Sequence, residues 1–238
     1  MKKTRMPEIS IVVPALNEER YIMSVIKGIR SQTFKDFEVI FVDGKSTDRT
    51  VQIARPHGNV IVQRKKNIGA ARNAGARAAR GRIILFTNAD TMASRGLLAS
   101  YRRLFTDRRV VAATGPLVPL EKASGFMRFC YWFASVVLAK ASFVTGKPAI
   151  SGSNFAVRRS AFINCGGFDE SLATYEDLDL AHRLSSMGRV LYANDAVVAT
   201  STRRIARWGV ARYVIFNAAN VARYNLFHRS MEHYEPVR

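Results

Sequence analysis

The fold is decided by the stretch Val39-Ile40-Phe41-Val42-Asp43-Gly44-Lys45-Ser46-Thr47-Asp48. Its first four residues are consecutive β-formers, which is typical of a strand buried on both faces in a parallel sheet. The Asp-Gly pair then predicts a turn, and Ser46 or Thr47 can cap a short helix over 48–54. Ligands of open α/β sheets collect beyond the carboxyl ends of strands, but Asp-Gly is also common in plain solvated turns. On this stretch alone, both interpretations of Asp43 stand.

Strands and helices alternate at short spacing on both sides of this stretch. Further strands are expected at 9–13, 60–62, 83–86, 110–113, 190–192 and 197–199, and another after Ser151-Gly152-Ser153-Asn154-Phe155. Helices are expected behind a cap at Asn17, over 67–77, behind a cap at Ser94 as far as Phe105, from Tyr175 to Met187 with Gly188 as C-cap, and from about Trp208. This alternation predicts a parallel sheet with right-handed crossovers, and therefore an α/β fold.

One segment, residues 123–146, differs in composition because it is apolar all round and rich in aromatic residues. Only eleven residues in it, Phe129 to Ala139, run without a charge, which is too short to span a bilayer. A buried core helix is the default expectation. The alternative is an interfacial helix or one that contacts an acceptor.

The charge balance indicates an anionic partner. The 238 residues carry a net charge of +19, and no acidic residue stands between Arg49 and Ala89 or between Lys122 and Phe168. Nucleic acid, an acidic membrane surface or a phosphorylated substrate would all suit this charge, as would a generally cationic solvated surface. The N-terminal apolar run Ile9–Val13 is too short for a signal peptide, and we expect a cytoplasmic protein. Two cysteines predict no disulfide framework.

Several familiar motifs are excluded by spacing. Val39 stands where a P-loop would need a glycine, no GxGxxG follows the first strand, and the histidines lack zinc-ligand spacing. What remains is a set of polar residues at strand ends. Asp43 could accept a base N–H, Arg72 could assist phosphates, and Asp90 could ligate Mg²⁺ or Mn²⁺, which bind diphosphates with few protein ligands. Thr174 to Asp177 reads as a capping box, with Asp177 reaching back to Thr174.

In combination, these residues resemble family 2 glycosyltransferases from about residue 8 to 208. The shared motifs occur in the family's order: Pro14-Ala15-Leu16-Asn17-Glu18, 42–48, 67–75, Asn88-Ala89-Asp90-Thr91, 166–170 and Glu176-Asp177. The resemblance implies a GT-A fold, with a Rossmann-type, mostly parallel central sheet flanked by helices and a C-terminal helical extension. It also implies a UDP- or GDP-linked sugar donor, a divalent cation (Mg²⁺ or Mn²⁺) and inversion at the anomeric carbon.

The resemblance also implies roles for individual residues. Asp90 would hold the metal, and Asp177, with Glu176 beside it, would be the catalytic base. The nucleotide-sugar would be bound by Pro14, Ala15, Asn17, Glu18, Asp43, Gly44, Ser46, Asn67, Arg72, Asn88, Ala89 and Asp90. The acceptor or diphosphate would meet Ser153, Asn154, Arg204, Arg207 and Trp208. A glycosyltransferase domain is expected over 8–205, with a nucleotide-sugar half over 8–115 and an acceptor half over 116–205, followed by an amphipathic helix and tail over 206–238.

Two departures from the family pattern bear on these expectations. Asn88 replaces the first acid of the usual Asp-x-Asp, which lowers the expected metal affinity, and Arg204 replaces the Gln of a Gln-x-x-Arg-Trp element. We also expect no transmembrane helices, so the acceptor stays open between a polyprenyl phosphate, another lipid and a growing glycan. The last helix places Arg212 and Arg223 on one side beside aromatics, which suits anionic lipid at the inner face of the membrane; a dimer or core helix is the alternative.

Other functions remain as alternatives. The change at Asn88 is compatible with a non-catalytic relative that binds nucleotide-sugars. A sugar nucleotidyltransferase would need a glycine-rich, basic loop after the first strand, where this chain has Pro14 to Glu18. A nucleic-acid-binding module is disfavoured because the basic residues are not interleaved with aromatics as on a stacking platform.

Overall fold

A seven-stranded sheet lies at the centre of the computed structural model, which describes residues 6–64, 67–144, 146–210, 212, 213, 215, 216, 219 and 223. Its strands, in chain order, are β1 (Ile9–Ala15), β2 (Phe37–Asp43), β3 (Asn59–Val62), β4 (Ile83–Thr87), β6 (Val110–Thr114), β8 (Asn154–Arg158) and β9 (Arg189–Tyr192). They are arranged as β3-β2-β1-β4-β8-β6-β9. All pairings are parallel except those that β8 makes with β4 and β6. The amino end of β8 therefore lies at the edge where the parallel strands end.

A small second sheet and a set of helices complete the architecture. The second sheet has the order β5-β10-β7 and consists of β5 (Thr91–Ala93), β7 (Leu117–Pro119) and β10 (Val198–Thr200). The helices are α1 (Ile22–Arg30), α2 (Thr50–Ala54), α3 (Ile68–Ala78), α4 (Leu97–Leu104), α5 (Gly125–Trp132), α6 (Ala139–Val144), α7 (Arg159–Asn164), α8 (Glu176–Ser185) and α9 (Arg203–Trp208). The predicted strands are confirmed, several with one or two more residues.

The core forms two apolar layers, one on each face of the central sheet. Ile11 and Phe41 belong to the layer beneath α1 and α4, whereas Val12 and Phe86 belong to the layer beneath α3, α7 and α8. Alternate residues of one strand thus enter opposite layers, as the pleat requires. Helix α3 lies very close to the sheet, because a Cβ on Gly75 would be 2.3 Å from Val12 Cγ1. Its small residues explain this approach.

The first two helix starts differ from the predicted ones. Asn17 has φ of 55°, and α1 begins only at Ile22, so Asn17 is not its cap. Neither Ser46 nor Thr47 caps α2; the Oδ1 atom of Asp48 accepts the Thr50 N–H at 2.9 Å instead. Both errors have one cause. Asn17, Ser46 and Thr47 form hydrogen bonds between the loop after β1 and the loop after β2, and not with the helix that follows each loop.

Two later helix starts were also predicted wrongly. Helix α4 begins behind Gly96 rather than Ser94. Helix α8 begins behind Tyr175, whose φ of 64° places it in the left-handed region, so Thr174 is not at the capping position. The C-cap of α8 is Ser186, not Gly188. Local sequence favoured the nearest serine, threonine or glycine, whereas tertiary contacts determine where each helix begins and ends.

The apolar segment in the middle of the chain is not a core helix. Residues Gly125–Val144 form one 20-residue helical run, in which α5 and α6 are joined by a π-helical segment, Phe133–Leu138. None of its residues is buried. By length and composition the run could cross a membrane. It was expected to be too short because only the eleven residues without a charge were counted. We call it the exposed helix.

A short helix that the sequence did not predict, α9, precedes the predicted C-terminal helix and ends at Trp208, where Gly209 follows with φ of 78°. Beyond Gly209 the described residues, among them Val210 and Tyr213, are helical, in agreement with a helix from about Trp208. Most of the predicted helix to His228 lies outside the described residues. The expected division into two halves near residue 115 stays a prediction, although one central sheet holds strands from both.

Candidate active site

The loops that follow β1 and β2 interlock beyond the carboxyl ends of these strands. The Asn17 N–H donates to Ser46 Oγ (2.9 Å), and Asn17 Oδ1 accepts the Thr47 N–H (2.8 Å). The Glu18 N–H donates to Thr50 Oγ1 (2.8 Å). These bonds account for the left-handed conformation of Asn17, which asparagine tolerates better than most residues. The two predicted nucleotide-binding loops therefore form one unit.

Asp43 closes β2 and organises the loop behind it. Its Oδ2 atom accepts the N–H groups of Lys45 (3.0 Å) and Ser46 (3.1 Å), and the residue is 4% exposed. The Asp43 side chain is therefore buried, although Lys45 and Thr47 of the turn are exposed. The N–H groups of Lys45 and Ser46 do not use all the lone pairs of the carboxylate, so Asp43 retains the capacity to accept a further N–H.

Arg203, at the start of α9, joins the loop after β1 to the loop after β4. Its Nη1 atom donates to Glu18 Oε2 at 2.7 Å, and its Nη2 atom lies 3.2 Å from Asp90 Oδ2. The guanidinium also lies over the Tyr21 ring, 4.8 Å from its centroid. A single cation thus bridges two carboxylates from different strand ends.

Asp90, the predicted metal ligand, is largely buried and lies near two guanidinium groups. Burial raises the pKa of the Asp90 carboxyl above its ordinary value, while the Arg203 and Arg204 guanidinium groups oppose that rise. Within the described part of the chain, no three His, Cys, Asp or Glu side chains cluster so as to hold a metal ion. Mg²⁺ needs few protein ligands when substrate phosphates supply the others. Asp90 therefore fits an ion shared with a diphosphate, but not a closed protein site.

Arg72 is buried beneath the site and joins three elements. It is 3% exposed, donates from Nη1 to the carboxylate of Glu176 and from Nη2 to Asn88 Oδ1 (3.2 Å). Asn88 Nδ2 in turn donates to Ser153 Oγ at 2.8 Å. Both terminal nitrogens of Arg72 are thus engaged by protein groups. A Cβ on Gly152 would lie 2.2 Å from Arg72 Nη2, so only glycine fits there.

Glu176 and Asp177 open α8 but have different surroundings. Glu176 is 6% exposed and packed against Arg72, and burial, followed by the charge of Asp177, raises the pKa of Glu176 to about 7. Asp177 is only half-buried; its Oδ2 atom accepts the Gly152 N–H (2.8 Å) and its Oδ1 atom accepts the Leu178 N–H (2.9 Å). Of the two predicted catalytic carboxylates, Asp177 is therefore the accessible one.

Some predicted binding residues are structural supports in this arrangement. Asn67 Oδ1 accepts the Ala70 N–H at 2.9 Å and so caps α3. Asn154 is completely buried and accepts the Tyr101 hydroxyl through Oδ1 at 2.6 Å. Asn67 is half-buried, and its amide also donates to the Glu170 and Leu172 carbonyls, so both side chains hold neighbouring segments together. Sequence spacing cannot separate such supports from binding residues.

The small residues among the predicted site positions let backbones approach each other. Pro14 and Ala15 pair in register with Val42 and Asp43, so the ends of β1 and β2 are side by side. The Gly44 N–H donates to the Ala15 carbonyl at 2.9 Å. Ala89 is 2% exposed between Asn88 and Asp90.

The C-terminal basic element lies partly exposed beyond Arg203. Arg204 lies over the Trp208 ring at 5.9 Å, as does Arg212 at 5.4 Å, whereas Arg207 is exposed. The role of Arg207 at the acceptor or the diphosphate stays a prediction.

Sequence reasoning missed three contributors to the site. Glu121 accepts Ser201 Oγ–H (2.6 Å) and the Thr202 N–H (2.7 Å), and thereby anchors the start of α9. Gly152 supplies an N–H to Asp177, and Tyr21 supports Arg203. No spacing signal could have revealed these contacts, because Glu121 lies 80 residues from Ser201 and Gly152 lies 25 residues from Asp177.

Taken together, these contacts form a continuous polar band along the edge where β1, β2 and β4 end and β8 begins. It runs from Asp43 through the interlocked loops to Arg203 and Asp90, and on through Asn88 to Asp177. The band has a half-buried carboxylate, Asp177, at the end opposite Asp43. Such an edge is where open α/β folds bind ligands.

Comparisons with known proteins agree with this geometry. The family model described as Glycosyl transferase family 2 matches residues 10–166. Among curated proteins, O-antigen chain rhamnosyltransferase RfbN of Salmonella typhimurium is 27% identical over 220 residues, which are 87% of this chain and 70% of that protein. O-antigen chain rhamnosyltransferase WbaN of Salmonella anatum is 28% identical over 232 residues, 90% of this chain and 74% of that protein.

Solved structures show the same fold. Mannosyltransferase PcManGT from Pyrobaculum calidifontis, in complex with GDP-Man and Mn²⁺, superimposes with a TM-score of 0.65 at 21% identity. The match covers 92% of this chain but only 65% of that one. Staphylococcus aureus TarS 1–349 in complex with UDP-GlcNAc gives a TM-score of 0.64 at 21% identity, covering 92% of this chain and 67% of that one. The predicted α/β fold is confirmed.

Proposed function

Because this chain belongs to glycosyl transferase family 2, we propose that it transfers a sugar, with inversion, from a UDP- or GDP-linked donor to an acceptor. The observation that supports this most strongly is the continuous polar band between Asp43 and Asp177. Along one edge of the sheet it contains the buried carboxylate of Asp43, the guanidinium of Arg203 and the half-buried carboxylate of Asp177. A nucleotide base needs a hydrogen-bond acceptor, a leaving diphosphate needs a cation, and an acceptor hydroxyl needs a base. The three groups would meet these needs in that order.

The donor would lie along the interlocked loops. Asp43 would accept an N–H of the base with its unused lone pairs, and the loop amides around Ser46 would line the ribose side. Arg203 and Arg204 would face the diphosphate, where negative charge grows as the bond to the sugar breaks; preorganised cations stabilise such charge. Arg72 would act indirectly, because it is buried and holds Asn88 and Glu176.

A divalent ion, Mg²⁺ or Mn²⁺, would be held by Asp90 together with the donor phosphates. When bound, it would neutralise charge on the leaving diphosphate. Arg203 now contacts the same carboxylate oxygen, Asp90 Oδ2. The guanidinium would therefore have to shift for the ion to bind there.

On the acceptor side, Asp177 would act as the general base. It would take the proton of an acceptor hydroxyl while that oxygen bonds to the anomeric carbon and the carbon–oxygen bond to the diphosphate breaks on the opposite face. The donor's electron pair leaves with the nucleoside diphosphate. Such proton removal accelerates transfer by about 10²- to 10⁴-fold. Glu176 would position Asp177 through its contact with Arg72 rather than touch the acceptor.

The acceptor and the location follow from weaker indications. The two rhamnosyltransferases named above act on an O-antigen chain, so a lipid-linked or growing glycan acceptor is proposed here, with a polyprenyl phosphate as a further possibility. The chain would work on the cytoplasmic side, with peripheral contact to anionic lipid at the inner face of the membrane. The net charge of +19 supports that contact.

One observation favours a second candidate, a non-catalytic nucleotide-sugar-binding relative. Arg203 covers Asp90, and the Asn88 amide is engaged by Arg72 and Ser153. Such a protein would bind the donor without consuming it. Donor turnover therefore separates the two candidates.

Calorimetry with UDP, GDP and dTDP in the presence of Mn²⁺ tests the donor site. We expect one of them to bind, and Asp43→Asn to weaken that binding by about 1.5–3 kcal/mol, the range for a hydrogen bond to a charged group. Asn keeps one acceptor oxygen for the turn, which makes it gentler than Ala. Asp107→Asn, which changes a partly exposed loop carboxylate paired with Arg109 and Arg189, is the control and should bind as the wild type does. Unchanged affinity in folded Asp43→Asn would remove Asp43 from the site.

A further inference from the structure

The exposed helix, Gly125–Val144, presents large apolar side chains to the outside. Phe126 is 65% exposed, Phe129 56%, Trp132 51% and Leu138 53%. The rings of Phe129 and Trp132 lie 5.9 Å apart and form one cluster. Folded proteins seldom leave such a contiguous aromatic surface in water unless it binds something.

The helix lies flat on the domain, because its middle is bonded to two strands. Ser135 Oγ donates to the Leu117 carbonyl of β7 at 3.0 Å, and the Tyr192 hydroxyl of β9 donates to the Ser135 carbonyl at 2.6 Å. Phe143 also packs edge-on against Tyr192. The run has 20 residues and a mean hydropathy of 1.2. Because it is held against the domain at Ser135 and Phe143, its exposed side can lie in the plane of a surface.

A groove of about 920 Å³ runs between the exposed helix and β7. Its walls are apolar and its rim is cationic; they include Pro119, Val136, Phe129, Trp132, Lys122 and Arg128. The acid in its lining, Glu121, is already bonded to Ser201 and Thr202. The surroundings of the helix are therefore both apolar and positive.

Charge decides what occupies this surface. Lys122, Arg128, Lys140 and Lys147 are all exposed, and no acidic residue occurs between Lys122 and Phe168. A second copy of the chain would bring two cationic rims together, which is repulsive. Anionic lipid head groups would instead be attracted by about 1 kcal/mol for each nearby Lys or Arg, while the aromatic rings enter the boundary with the acyl chains.

We propose that the exposed helix docks in the plane of an anionic bilayer surface, with the Phe129–Trp132 cluster inserted and the cations among the head groups. This deepens the peripheral membrane contact of the proposed function, on which it rests, by assigning the contact to the middle of the chain rather than to the C-terminal helix. Because β7 pairs with β10, which leads directly to Arg203, the docked surface would be one strand away from the proposed donor site.

Co-sedimentation of the full chain with vesicles tests the proposal. Phosphatidylglycerol-containing vesicles should bind the protein at low salt, and pure phosphatidylcholine vesicles should bind it much more weakly. Phe129→Ser should lower the partition coefficient about tenfold or more, as expected from removing a large apolar contact. Ile163→Ser on α7 is the matched control, because Ile163 is also 56% exposed, and it should bind as the wild type does. Equal binding of the Phe129 and Ile163 variants, or no wild-type binding to anionic vesicles, would overturn the proposal.

Tryptophan fluorescence gives a second readout, which does not require the Phe129→Ser variant to fold. Anionic vesicles should shift the emission to shorter wavelength, and bromine-labelled acyl chains should quench it. Trp132→Phe, which keeps an aromatic ring, should bind vesicles but lose the shift. A shift that persists in Trp132→Phe would place the contact at Trp208 and contradict us, as would vesicle-free dimerisation that Phe129→Ser abolishes. Nucleotide calorimetry on the same preparation reports the donor site separately, so failure of either idea can be recognised.

Discussion

At the scale of single residues, Arg203 is the cation that joins two carboxylates of the candidate site. It lies between Glu18 and Asp90, both of which are largely buried, with side chains 11% and 16% exposed. Burial of a carboxylate disfavours its charged form, and a guanidinium beside it offsets that cost. The same position is where a divalent ion or a diphosphate-bound ion would be expected.

Arg203→Met should therefore tighten the binding of Mn²⁺ in the absence of donor, by about tenfold or about 1.4 kcal/mol. Met preserves some of the side-chain length but removes the competing cation. Electron paramagnetic resonance of free Mn²⁺ measures this without any turnover. Arg207→Met changes an exposed arginine on the same helix and should leave the affinity unchanged. The gain should vanish in the double variant Arg203→Met with Asp90→Asn; equal Mn²⁺ affinity of wild type and Arg203→Met would show that the two cations do not compete.

The sequence predicted the carboxylates of the site better than their partners. Asp43, Asp90 and Asp177 were found because each stands at a strand end or a helix start, which is a local property. The pairing of Arg72 with Glu176 could not be predicted, since the two are 104 residues apart and meet only after α3 and α8 pack on the same face of the sheet. Arg72 was expected to contact phosphates, whereas it is 3% exposed and bonded to Glu176 and Asn88.

At the scale of elements, α8 is positioned by its contact with the turn before β8. The Gly152 N–H is bonded to Asp177, and a Cβ added to Gly152 would overlap the guanidinium of Arg72. Arg72 is itself fixed by Glu176 and Asn88, so it cannot retreat. The turn before β8, α3 and α8 therefore fix one another's positions.

Gly152→Ala should displace the turn or the Arg72 guanidinium, because the new Cβ would be 2.2 Å from Arg72 Nη2. We expect a loss of stability of about 1–3 kcal/mol, the usual cost of overpacking, and a larger loss of turnover because Asp177 would shift. Thermal unfolding and donor turnover are measured on the same preparation. Gly96→Ala is the control, since a Cβ there would have no heavy atom within 4 Å. Normal turnover of Gly152→Ala would show that the position of Asp177 does not depend on this contact.

The elements themselves were predicted well, but their boundaries less so. The β-strands were identified because consecutive apolar residues are a strong local signal, and β1 to β4 appeared where expected. The exposed helix was misjudged for a physical reason: an apolar composition is the same in a core and at a lipid surface. Only the packing of Ser135 and Tyr192 shows which side of the helix is free.

At the scale of the whole molecule, the antiparallel strand β8 connects the loop after β4 with the start of α8. Because it runs against β4, its first residue, Asn154, pairs with Thr87, and the preceding turn meets both Asn88 and Asp177. The loops of the proposed donor side follow β1, β2 and β4, and the carboxylate of the proposed acceptor side, Asp177, lies on α8. The fold thus places Asp177 and Asp90 along one edge, and in our proposal the exposed helix faces a membrane surface.

The most direct test of this account is the hydrolysis of the donor sugar, with water as acceptor, followed by the anomeric configuration of the released sugar. Water needs a base, so an already ionised acceptor cannot hide the result. Wild type and Asp179→Asn, a change in the same turn of α8, should release sugar of inverted configuration. Asp177→Asn should slow release at least about 10²-fold, with unchanged donor affinity and melting temperature. A folded Asp177→Asn variant with the wild-type rate, or a retained configuration in the product, would contradict the account.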